Sequence, residues 1–142
     1  MIDFFSKEEE ARIIDTIEEV ENRTSGEVRV HLARDAGKDV LEKAKQTFVK
    51  LGMKQTRERN GVLFFLVPEA HQFAILGDEG INRRVPENFW QDVRDLAQTQ
   101  FRQGNFAEGV CQALERIGEK LAAFFPPQQD DDNELPDAVS YD

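Results

Sequence analysis

The sequence predicts a small three-layer α/β domain, a mixed sheet with helices on both faces, and three observations carry that prediction. Val62 to Val67 are six consecutive apolar residues introduced by Asn60-Gly61; too short for a typical helix and rich in strand formers, they read as a strand buried on both faces. A helical pattern separates this run from an earlier alternating one, and such a crossover makes the two strands parallel. The turn signal Pro68 to Gln72 then separates it from a second apolar run, Phe73 to Leu76, which reads as the return strand of an antiparallel hairpin in the middle of the sheet.

The elements follow in order. Ser6 with Glu9 three residues on is a capping box, with Phe5 placed to staple the first turn. Ile13, Ile14, Ile17 and Val20 form the apolar face of the first helix, which should end between Asn22 and Gly26. From Glu27 to Arg34 the pattern alternates, with Val28, Val30 and Leu32 on a drier face and Arg29 and His31 opposite. Asp39 is the expected N-cap of a second helix with Leu41, Ala44, Phe48 and Leu51 as its stripe and Gly52 as its stop. Pro86 opens a third, with Phe89, Trp90, Val93, Leu96 and Ala97 inward and Gly104 at its end. Asn105 and Glu108 repeat the capping logic for the last helix, whose seam is Val110, Leu114, Ile117, Leu121 and Phe124.

Residues 1–126 are thus expected to form one α/β domain, large enough to bury about two thirds of its unfolded surface. Residues 127–142 are expected to be an acidic tail without structure of its own. Six acids lie in that tail without a lysine or arginine, which leaves −4 on the body from a total of −10. This balance argues against nucleic-acid binding. One cysteine, Cys111, allows no internal disulfide, and no apolar run approaches the roughly 20 residues of a membrane helix. A cytoplasmic protein with no membrane partner is the expectation. The basic stretch from Lys43 to Arg59 is a candidate docking surface for an acidic protein partner.

The loop after the hairpin offers the best candidate site. Asp78, Glu79, Asn82 and Glu87 supply hard oxygen ligands on a segment bent by Gly77 and Gly80, suited to calcium or magnesium, and Glu27 at the start of the first strand could join them. The alternative is that Asp78 and Glu79 pair with Arg57, Arg59, Arg83 or Arg84 as ordinary ion pairs. Asp35 and Asp39, at the carboxyl end of the first strand, read better as a turn residue and a helix cap. Asp130 to Glu134 lacks the glycine and the bidentate glutamate of a calcium loop. Neither His31, His71 nor Cys111 falls in a recognisable catalytic motif.

Three segments together, SKEEEARIIDTIEEVENRTSGEVRVHLA, ERNGVLFFLVPEAHQFAILGDEGINRRVPENFW and FRQGNFAEGVCQALERIGEKL, resemble the TPM domain over roughly residues 4–125. The most specific part is the step Phe101-x-x-Gly104-Asn105-Phe106-x-x-Gly109 into the last helix. The resemblance implies a Rossmann-like α/β/α sandwich and divalent-cation binding through loop carboxylates. It also implies an alternative function, a weak metal-dependent acid phosphatase using the same loop, with Arg59, Arg83 or Arg84 neutralising the phosphate.

Overall fold

A computed structural model describes residues 3–128 and 138–142. Four strands, β1 (Glu27–Leu32), β2 (Gly61–Val67), β3 (Gln72–Gly77) and β4 (Val139–Tyr141), form one sheet in the order β3-β2-β1-β4. β1 runs parallel to β2 and to β4, and β3 returns antiparallel to β2. The helices are α1 (Lys7–Glu21), α2 (Val40–Lys50), α3 (Glu79–Asn82), α4 (Phe89–Arg102) and α5 (Phe106–Phe124).

Alternation along the strands sorts the core into two layers. Val28, Val30, Leu32, Val62, Phe64 and Leu66 face α1, α4 and α5, where Ile13, Ile17, Val93, Leu114, Ile117 and Leu121 meet them. Leu63, Phe65 and Val67 point the other way, onto Ala44, Phe48 and Met53 of the α2 side. Every residue of β2 is buried, as its unbroken apolar run requires of a strand covered on both faces. The three-layer α/β/α sandwich with a mixed sheet is therefore the observed architecture.

Local signals act as their chemistry dictates. Ser6 Oγ accepts from the Glu9 amide at 3.1 Å while Glu9 Oε1 accepts from the Ser6 amide at 2.9 Å, so two otherwise orphaned donors are satisfied at the start of α1. Asp39 caps α2 by accepting from the Leu41 amide at 2.9 Å. Gly52 and Gly104 take φ of 76° and 82° after α2 and α4, a region costly for residues with a Cβ.

Several expectations need correction. The hairpin is not central: β3 lies at the sheet edge and β2 inside it. The second face of β1 is not wet: on it His31 stacks on Phe65, bonds Ser140 and Asp142 and is only 4% exposed. Leu41 is 43% exposed rather than on the α2 stripe, and Thr47 takes an inward position instead. Asn105 makes no capping bond; Glu108 is held by Arg12 and by Gln112. Finally, residues 138–142 are not a tail, since Val139–Tyr141 complete the sheet beside β1. The rest of that acidic segment, 129–137, lies outside the described residues.

Candidate functional site

The register of the sheet brings the candidate residues to its amino edge. Glu27 pairs with Gly61, β3 ends opposite Val62 at Gly77, and the Asp78 amide donates to the Gly61 carbonyl at 2.9 Å. Asp78 is 6% exposed and caps α3, a single helical turn inside what the sequence suggested was an open loop. Gly80 permits this: a Cβ there would overlap the Glu58 carbonyl oxygen and lie 2.6 Å from that of Arg59. The loop before β2 and the turn after β3 are thereby pressed together, backbone against backbone.

Asp78 is engaged on both oxygens. Arg59 grips it as a fork, Nε to Oδ2 at 2.7 Å and Nη2 to Oδ1 at 2.9 Å, while Oδ1 also accepts from the Glu79 amide at 2.8 Å. The Asp78 hydrogen bond holds the Arg59 guanidinium above its ordinary pKa. Glu79 shares the same guanidinium at 3.3 Å and reaches Arg83 at 3.8 Å. Arg59 achieves this from the left-handed region, with φ of 53°, and its side chain is 34% exposed. The ion-pair alternative is thus what the structure shows for these two carboxylates.

The other candidate ligands have different surroundings. Asn82 donates to the Gly77 carbonyl at 2.9 Å and accepts from the Trp90 indole at 2.8 Å, pinning α3 to α4. Glu87 is exposed beyond α3, and Glu27 is buried at 3% exposure. Among the described residues no three His, Cys, Asp or Glu side chains are grouped closely enough to hold a metal ion. At this edge the Asn60 side-chain oxygen is buried without a hydrogen-bond partner among the described residues.

A second polar cluster, at the carboxyl edge of β1, was not anticipated. His31 Nε2 lies 2.8 Å from Asp142 Oδ1 and donates to it, and Nδ1 lies 2.7 Å from Ser140 Oγ, whose hydroxyl is also 3.4 Å from the Val30 carbonyl. Asp142 Oδ2 accepts from the Arg34 amide at 2.7 Å, and Lys43 stands 3.7 Å away. Burial pushes the Asp142 carboxyl up, but the bonds from His31 and Arg34 and the nearby charges hold it below its ordinary value. His31 is stacked on Phe65 with centroids 5.8 Å apart, so the set fastens β4 to the sheet. The only signal for it in the sequence was the alternation in Val139-Ser140-Tyr141.

A doubly covered mixed sheet with helices on both faces and an ion-paired acidic turn at its amino edge makes this a small three-layer α/β/α domain. The chain belongs to the TPM domain family, whose model matches residues 2–120. It is similar to the BA42 protein of the psychrophilic bacterium Bizionia argentinensis, known from an NMR structure, at 42% identity and a TM-score of 0.92 over all of this chain and 98% of that one. It shares its fold with the N-terminal domain of the cg2496 protein of Corynebacterium glutamicum, at 18% identity and a TM-score of 0.65, over 82% of this chain and 74% of that one. No curated protein matches the chain.

Proposed function

We propose that this TPM domain is a binding module whose acidic pair, Asp78 and Glu79, takes up a divalent cation, calcium or magnesium, in exchange for Arg59. The observation that carries this reading is the convergence of both carboxylates on one guanidinium. Two carboxylates already face one point at a strand edge, and electrostatics favours a cation there. Arg59 is the resident one. Its partly exposed, left-handed position lets it swing into solvent, whereas Asp78 is fixed by the cap it makes on α3. Asn60 adds an oxygen without a partner at the same edge. Calcium takes six to eight oxygens, so water and backbone carbonyls would complete its shell, with Asn82, Glu87 and Glu27 as further contributors.

The test is calcium and magnesium titration of the Asp78→Ala/Glu79→Ala double variant and, separately, of Arg59→Gln. The double variant should lose saturable cation binding, and Arg59→Gln should bind about tenfold more tightly because the competing charge is gone. Unchanged affinity in the double variant would move the site elsewhere. The phosphatase alternative has weaker support. His31, His71 and Cys111 all lie away from this turn: His31 fastens β4, His71 closes the hairpin, and the Cys111 thiol is buried against Thr16 and pushed up by that burial. Among the described residues no positioned base accompanies the acidic pair, so efficient phosphate-ester turnover is not expected with either metal.

A further inference from the structure

The opposite edge of the sheet carries a cavity of about 390 Å³ at the carboxyl end of β2, between the hairpin, α4 and the start of α5. Its wall is aromatic. Phe73, Phe101, Phe106 and Phe4 form a continuous series of ring contacts, with centroids 5.1, 5.4 and 5.2 Å apart. The step Phe101-x-x-Gly104-Asn105-Phe106-x-x-Gly109 builds this wall: Gly104 lets the chain reverse, and Gly109 leaves room for the Phe101 ring, which a Cβ would meet at 2.6 Å. The mouth is polar and cationic, with Gln98 and Arg102 from α4 and His71 from the hairpin turn. His71 holds a left-handed φ of 55°, a conformation uncommon outside glycine.

Among the described residues no aspartate or glutamate lines this cavity, in a chain that has 28 of them and a net charge of −10. Arg102 is in no ion pair among the described residues, and the cavity lies where open α/β sheets commonly receive ligands, outside the carboxyl ends of parallel strands. We infer that the cavity binds a small monocarboxylate with an apolar body, the body against the phenylalanine wall and the carboxylate on Arg102. The volume suits about a dozen heavy atoms, at the small end of ligand pockets. This site is separate from the acidic turn and stands independently of the cation reading.

Titration of the full chain with 2-naphthoate, followed through amide and ring signals, tests the assignment, with 2-naphthamide as the neutral counterpart and decanoate as a flexible acid. Saturable shifts on Phe73, Phe101 and Phe106 are expected with at least one of the two acids. Arg102→Gln should weaken binding of that acid about tenfold and leave the amide unaffected. Gln98→Trp, which places a ring across the mouth, should weaken both. Arg102 and Gln98 are exposed, so both variants should fold. Absence of saturation with both acids would overturn the proposal. So would equal affinity for naphthoate and its amide, or shifts that persist unchanged in both variants.

Discussion

Gly80 shows how a single residue decides whether the candidate site exists. As a helical position it would favour alanine by about 1 kcal/mol on propensity alone. Because the added Cβ would strike the Glu58 and Arg59 carbonyls, Gly80→Ala should instead destabilise by roughly 1–3 kcal/mol. Urea denaturation decides between the signs, and a raised midpoint would contradict the close approach. Tyr141, the one tyrosine, is a second probe. Burial and its 2.9 Å hydrogen bond to Glu10 push its phenol up to about 12. Its folded value lies above the ordinary 10, so the stabilisation is complete below pH 10 and is lost as pH rises through the folded value. Ultraviolet titration should show no phenolate step near 10 while the fold persists, and an ordinary step would mean that β4 is not docked. The partners of Asp78 were not legible at this scale. The sequence offered four arginines, and only the register of β2 against β3 selects Arg59.

Elements with complete local signals were legible, and those defined by long-range pairing were not. The capping box, the Asp39 cap and the α5 seam all rest on residues two to four apart, and each is found in the structure. Ser6→Ala should accordingly cost about 1 kcal/mol in thermal or chemical unfolding. β4 is only three residues long and draws its stability from β1, His31 and Lys43, more than 90 positions away in the chain. The alternation within Val139–Tyr141 spans only three residues, too short to announce a strand by itself. The Asp142 carboxyl is depressed in the fold, so its contribution is present above its unfolded value and disappears as pH falls through the folded one. The protection of the Ser140 and Tyr141 amides against exchange, taken relative to intrinsic rates at each pH, should therefore be lost first on acidification, before that of the β2 amides. Asp142→Asn should remove that acid dependence, and an unchanged acid dependence would show that another group controls β4 docking.

At the scale of the whole molecule, one sheet presents two unlike edges. The amino edge gathers carboxylates onto Arg59; the carboxyl edge presents the fastening of β4 beside β1 and the aromatic cavity at the end of β2. The sandwich itself was readable because β2 is apolar throughout and every helix has a single apolar face, which leaves few ways to bury both. The order of strands was less so, since placing β3 and β4 at the margins depends on tertiary contacts. The basic stretch is also less uniform than its composition suggested. Lys43 is bound to Asp35 and Arg59 to Asp78, whereas Lys45, Lys50 and Lys54 are exposed. No helix among the described residues is long and apolar enough to cross a membrane.

The central claim is that a divalent cation and Arg59 compete for Asp78 and Glu79. The most direct measurement is the Arg59 Nε–H signal during calcium titration, since that proton is held at the Asp78 carboxylate in the ion pair. On calcium binding it should shift and broaden toward exchange with solvent, saturating in step with the Asp78 and Glu79 amides. A signal that stays fixed and protected while calcium binds, or while calcium fails to bind at all, would contradict the exchange and leave Arg59–Asp78 as a structural clamp.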